Sequence, residues 1–127
     1  MKLLLDTHAL LWWLTGDDRL SARAQSAIAD ARQVFVSSVT AWEISTKQRL
    51  GKLPEADPYV ANLQDVVNAE GIGLVPLTFV QGLRAGAYPA SHRDPFDRML
   101  AAQAELGGLT LVTRDSLFKQ FPVQTLW

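Results

Sequence analysis

Four carboxylates sit where a folded chain would have to account for them. Asp6 directly follows the apolar run Lys2-Leu3-Leu4-Leu5, and Asp115 follows Leu109 to Val112 through Thr113-Arg114. Glu43 lies four residues after Val39 and seven before Leu50, on the apolar stripe of a predicted helix, so its side chain is expected to face inward. Asp97 heads a similar stripe formed by Leu100, Ala101 and Ala104. A buried carboxylate needs a partner, either a basic group or a metal ion. Each acid also has a structural alternative. Asp6 could cap a helix over 7–14, Asp115 a short helix over 116–119, and Asp97 could complement a helix dipole, while Asp94 is the plainer N-cap. Four carboxylates at one edge of a sheet would repel one another without cations. A ligand set of hard oxygens, with no cysteine and only His8 and His92, suits Mg²⁺ or Mn²⁺ rather than zinc. Such a site activates water for in-line attack on a phosphodiester. Thr7, Ser37, Ser38 and Thr113 could orient ligands or water, although Ser and Thr in such turns more often act as caps.

The elements that must position these groups alternate along the chain. Short continuous apolar runs at 2–5, 34–36, 72–75, 109–112 and 123–126 predict strands buried on both faces, hence a mostly parallel sheet. Helical patterns lie between them: 22–31 behind Ser21, 39–50 behind Ser38, 59–70 behind Asp57-Pro58, 79–85 behind Thr78, and 96–106 behind Asp94-Pro95. Gly51, Gly71 and Gly107-Gly108 supply stops. This order predicts a single three-layer α/β domain over residues 1–127, with about five strands flanked by helices and joined by right-handed crossovers. In open sheets of this kind ligands bind beyond the carboxyl ends of the strands, where Asp6 and Asp115 are expected.

Composition narrows the function further. The chain has 127 residues, 48 % of them apolar and 20 % charged, with no cysteine. A domain of this size needs no disulfide or structural metal, and a reducing cytoplasm is the favoured compartment. No segment reads as a signal peptide or a membrane span. Twelve basic against thirteen acidic residues leave a net charge of −1, so any polyanion must be engaged locally. Lys47, Arg49, Lys52, Arg93, Arg98 and Arg114 are the candidate phosphate contacts, although solvated helix faces account for most of them equally well. Trp12 and Trp13 are consecutive on the first helix and cannot point the same way. At least one is expected to leave the core for an interface, and Trp127 is similar.

Taken together, the segments Leu3-Leu4-Leu5-Asp6-Thr7-His8-Ala9-Leu10-Leu11, Ser37-Ser38-Val39-Thr40-Ala41-Trp42-Glu43-Ile44, His92-Arg93-Asp94-Pro95-Phe96-Asp97-Arg98-Met99-Leu100 and Leu111-Val112-Thr113-Arg114-Asp115 resemble the PIN-domain ribonucleases, and within them the VapC-type toxins of bacterial toxin–antitoxin pairs. The resemblance implies a PIN-like fold with Asp6, Glu43, Asp97 and Asp115 as the acidic quartet and Asp94 as an additional acid. It implies Mg²⁺-dependent endonucleolytic cleavage of RNA, inhibition of translation, a homodimer, and silencing by a cognate antitoxin. A phosphoacceptor receiver domain would want paired acids after the first strand and a lysine after the last. A haloacid-dehalogenase-like phosphatase would want Asp where His8 stands. The remaining alternative is a catalytically silent PIN-fold binding or scaffold protein, which would bind its partner without a divalent ion.

Overall fold

The computed structural model describes residues 1–127. Its chain order is β1 (Lys2–Leu5), α1 (Thr7–Thr15), α2 (Ala22–Asp30), β2 (Gln33–Ser37), α3 (Ser38–Arg49), a three-residue 3₁₀ segment (Pro54–Ala56), α4 (Asp57–Val60), α5 (Leu63–Ala69), β3 (Gly73–Val75), α6 (Phe79–Ala87), α7 (Pro95–Gly107), β4 (Thr110–Val112), a 3₁₀ turn (Ser116–Gln120) and β5 (Thr125–Leu126). The five strands form one sheet in the order β3-β2-β1-β4-β5, and every neighbouring pair is parallel. The expected three-layer α/β architecture is therefore present.

The centre of the sheet is apolar, with Leu3, Leu4, Leu5, Leu111 and Val112 fully buried, because both of its faces are covered there. Successive side chains of β1 alternate between the two sides. Leu3 and Leu5 join Val36, Val112 and Leu126 in a core shared with Leu10, Leu11, Ala24, Ile28, Ile44 and Val67 from the helices on that face. Leu4 joins Leu111 in a second core, with Ala85, Leu100, Ala101, Ala104, Phe118 and Phe121. Leu3, Leu4 and Leu5 are fully buried. Each such leucine contributes roughly 1.5–3 kcal/mol by burial, so a charge at any of the three would break the layer it faces.

Three local expectations need correction. The helix expected over 59–70 is split into α4 and α5, because Asn62 leaves helical geometry (φ −133°, ψ 28°) and its carbonyl then starts a new turn with the Val66 N–H. Ser37, not Ser38, caps α3: its hydroxyl accepts from the Val39 N–H at 2.9 Å. Trp12 and Trp13 both pack. Trp12 is 4 % exposed, while Trp13 is half-buried against the same core and its indole N–H reaches Glu70. Trp127 is half-buried as well and meets the Trp12 ring edge-on. Consecutive positions on α1 both find cover, Trp12 against Trp127 and Trp13 against the core that Leu10 and Leu11 share. Large exposed apolar side chains lie elsewhere, among them Trp42 on α3 and Phe79, Val80 and Leu83 on α6.

The chain moves outward from β1 through β2 to β3, then returns to place β4 on the other side of β1. Strand order therefore reverses between β1 and β4, which opens a crevice at their carboxyl ends. Asp6 stands at its lip, where its backbone N–H bonds the Val112 carbonyl at 3.1 Å.

Candidate active site

Each predicted acid owes its place to a strand end or a helix start. Asp6 is both: it follows β1 and caps α1, its Oδ1 accepting from the Ala9 N–H at 2.8 Å. Burial raises its pKa above the ordinary carboxylate value and the Glu43 charge adds to the rise, while the Thr113 hydroxyl, the Ala9 N–H and His8 oppose it. Thr113 is itself buried, and its Oγ1 accepts from the Asp115 N–H at 3.1 Å.

Glu43 faces inward as its helical stripe predicts and is 5 % exposed. Both of its oxygens are engaged: Thr7 donates to Oε1 at 2.5 Å and the Lys47 ammonium sits on Oε2 at 2.5 Å. Burial disfavours the charge on Lys47, but Glu43, with Asp94 and Asp97 beyond it, more than offsets this and raises its pKa.

Asp97 lies in the first turn of α7, where Asp94 is the N-cap and accepts from the Phe96 N–H at 2.9 Å. His92 Nε2 and Asp97 Oδ2 are hydrogen-bonded at 2.7 Å. Burial nevertheless pushes the Asp97 pKa up to about 6, assisted by the charges of Asp94 and Glu43 and opposed by His92. Asp115 is exposed and caps the 3₁₀ turn through the Leu117 N–H at 2.9 Å. It shares a cavity of about 250 Å³ with Asp6, His8, Trp12, Arg114 and Trp127.

Asp6 is thus the joint between two groups. On one side it is within electrostatic reach of Glu43, which in turn influences Asp97 and Lys47. On the other side it shares a cleft with Asp115. The expected cage of four carboxylates is not closed, since no three acidic or histidine side chains approach closely enough to hold one ion. The physical reason is that Asp6, Asp94 and Asp115 each turn one oxygen onto a helix start, and Glu43 is held by Thr7 and Lys47. Asp97 Oδ1 and the second oxygens of Asp94 and Asp115 accept from no protein donor. The donor set is all oxygen and mutually repulsive, and burial raises the pKa values of Asp6 and Asp97. In its chemistry it fits a hard divalent cation.

The basic residues separate more sharply. Arg98 is not free for phosphate. Its guanidinium donates to five backbone carbonyls, those of Ala85, Gly86, Tyr88, Ala90 and His92. Lys47 is bound to Glu43, whereas Arg49, Lys52, Arg93 and Arg114 remain exposed. The Arg114 guanidinium lies 4.6 Å from the Trp12 ring centroid, at the rim of the Asp6 cavity. Sequence reasoning singles out His92 without its partner and overlooks Gln120, whose side-chain oxygen accepts from Ser91 Oγ and from the His92 N–H. Nothing local to Gln120 signals this role, because the contact spans 28 residues.

Residues 3–124 match the PIN domain family. Over 113 residues, 88 % of this chain and 85 % of the relative, the sequence is 34 % identical to Ribonuclease VapC22 of Mycobacterium tuberculosis. The fold is similar to that in the crystal structure of DNA-bound VapBC from Salmonella typhimurium, with TM-score 0.71 and 17 % identity over 99 % of this chain and 97 % of that one. It is also similar to FitAcB from Neisseria gonorrhoeae, with TM-score 0.68 and 19 % identity over 100 % of this chain and 97 % of that one. With acids at the switch point of a parallel five-stranded sheet and a match spanning nearly every element of it, this chain belongs to the PIN-domain family.

Proposed function

We propose that the protein is a divalent-metal-dependent endoribonuclease, the toxin of a toxin–antitoxin pair, which hydrolyses RNA phosphodiesters and so inhibits translation. The observation that carries this reading is the gathering of Asp6, Glu43 and Asp97, from three separate elements, into one electrostatically coupled group at the β1/β4 switch point. The likeness to a protein named Ribonuclease VapC22 supports the activity. Neighbours described as VapBC complexes support an antitoxin partner. The exposed Phe79, Val80 and Leu83 support a protein contact such as a homodimer. No helix is long and apolar enough to cross a membrane, and the cytoplasm, where RNA and ribosomes are, is the compartment of this activity.

In this reading Asp6 and Asp97 would hold a Mg²⁺ or Mn²⁺ ion, with Glu43 and Asp115 completing the set and Asp94 close by. The ion supplies Lewis acidity toward the phosphate and its attacking water. The chain's own groups do the rest. Thr7 fixes the Glu43 carboxylate, and Lys47 offsets its charge. His92 holds Asp97 Oδ2, which leaves Oδ1 without a protein donor. Thr113 supports Asp6 and the backbone of Asp115. In this reading the exposed Arg114, at the rim of the Asp6 cavity, and the exposed Arg93 would meet phosphates.

The test is cleavage of a defined RNA by purified protein with Mg²⁺, with Mn²⁺ and with chelator, beside Asp97→Asn. Cleavage that requires the ion and is lost in the variant is the expected result. Ion-independent cleavage, or full activity in Asp97→Asn, would overturn the reading. RNA binding without turnover would instead favour the scaffold alternative.

A further inference from the structure

Arg98 lies one residue beyond Asp97 on α7, yet its side chain serves a different segment. Its Nε donates to the Ala85 carbonyl at 2.9 Å, one terminal nitrogen to Ala90 and His92 at 3.1 and 2.8 Å, and the other to Gly86 and Tyr88 at 3.4 and 2.6 Å. A guanidinium has five N–H donors in a fixed planar fork, so the group is saturated. The accepting carbonyls belong to the open C-terminus of α6 and to the chain that leaves it, where helix geometry leaves carbonyls without partners. Arg98 therefore gathers residues 85–92 into one shape.

That shape ends at His92. Its carbonyl is held by Arg98, its N–H by Gln120 and its ring by the edge of Phe121, and its Nε2 lies 2.7 Å from Asp97 Oδ2. From this closed circuit we infer that Arg98 is a positioning residue: through the 85–92 segment it sets the His92 imidazole, and the imidazole fixes which way the Asp97 carboxylate points into the site. The inference rests on the ribonuclease reading above. A positively charged residue next to an active-site acid thus acts inward, on its own backbone, rather than on the substrate phosphate. Lysine cannot replace it, because one ammonium has three donors and no plane and would leave at least two of the carbonyls without a partner.

The experiment compares Arg98→Lys, His92→Ala, His92→Gln and the double variant Arg98→Lys/His92→Ala with the unaltered chain. It measures kcat and KM on a defined RNA, thermal unfolding, and the ¹⁵N resonances of the His92 ring. Groups that orient a ligand carboxylate change activity by roughly 10–100-fold when removed. Arg98→Lys and His92→Ala are each expected to lower kcat on that scale, with KM changed by less than about threefold. The double variant should lose no more than the worse single one, because both act on one carboxylate. His92→Gln, whose amide can still donate to Asp97, should recover most of the rate. The His92 ring signals should shift in Arg98→Lys and in Asp97→Asn even with no RNA present.

Wild-type kcat in a folded Arg98→Lys, or losses that multiply in the double variant, would overturn the inference. So would His92 ring signals unmoved by Arg98→Lys. A large rise in KM with kcat unchanged would return Arg98 to the role of a phosphate contact. Failure of the ribonuclease reading is separately visible, since Asp97→Asn would then cleave as well as the unaltered chain. That outcome would remove the inference as well.

Discussion

Thr7 donates its hydroxyl to Glu43 Oε1 at 2.5 Å, across 36 residues of sequence, and so ties the first turn of α1 to the middle of α3 beneath the site. Both groups are buried, and the carboxylate's other oxygen carries Lys47. Replacing Thr7 with Val leaves a buried anionic oxygen without its donor while preserving shape. The expected loss is about 1–3 kcal/mol in chemical denaturation, with Thr7→Ser restoring most of it. Unchanged stability in Thr7→Val would mean that water reaches Glu43 and that the pair does not organise the site.

The raised pKa of Asp97 makes folding stability depend on pH in a defined direction. Its carboxyl takes up a proton near pH 6 in the folded protein and near 3.8 when unfolded. Between those values the folded state binds more protons, so this group's contribution to stability falls as pH rises through the window. The span corresponds to about 3 kcal/mol, the amount by which ionised Asp97 burdens the metal-free fold at neutral pH. In chelator, the stability of the unaltered chain minus that of Asp97→Asn should decline from pH 4 to pH 6.5 and then level off. A flat difference would show that Asp97 is not strained by its surroundings.

Divalent ion should reverse that burden. Mg²⁺ or Mn²⁺ is expected to raise the melting temperature of the unaltered chain by mass action and to leave Asp6→Asn and Asp97→Asn nearly unmoved. Without metal, both variants should be as stable as the original or more so, because burial opposes both charges. An Asn variant that unfolds in chelator would show that the carboxylate, and not only its shape, holds the structure.

Asp115 can be tested for function apart from capping. Asn caps a helix start about as well as Asp, whereas Ala costs about 1 kcal/mol. Asp115→Asn should therefore keep its stability but lose cleavage, and Asp115→Ala should lose both. If Asp115→Asn cleaves at the original rate, Asp115 is only the cap of the 3₁₀ turn.

A chain of net charge −1 needs the ion to draw RNA to a carboxylate-lined site. With Arg98 saturated and Lys47 paired, few cations remain for phosphate. Binding of a cleavage-resistant RNA should therefore weaken in chelator, with a shallow salt dependence reflecting on the order of two to four phosphates. Tight, chelator-insensitive binding that falls steeply with salt would place the RNA on another surface. In cells, expression without the antitoxin should arrest growth and Glu43→Gln should relieve the arrest at matched protein levels.

What the sequence by itself determined was local. The leucine run of β1 had to be a buried strand because it is apolar at every position. Asp6, Asp94 and Asp115 stood where helical turns begin and were candidate caps, because Asp accepts the free N–H groups of a helix start, and all three do cap. The inward aim of Glu43 came from its place on an apolar stripe, a property of 3.6-residue periodicity alone. The tertiary structure decided the rest. Asp6, Glu43 and Asp97 share one electrostatic environment only because the strand order reverses between β1 and β4 and brings α1, α3 and α7 to one edge, which no window of sequence contains. The same holds for Arg98 and for Trp12. A guanidinium beside a site acid reads as a phosphate contact until the carbonyls of 85–92 are seen around it, and a tryptophan reads as surplus until the chain's last residue closes over its edge. Donors and apolar rings are claimed by whatever the fold brings within reach, and that is set by packing between distant segments rather than by neighbours along the chain.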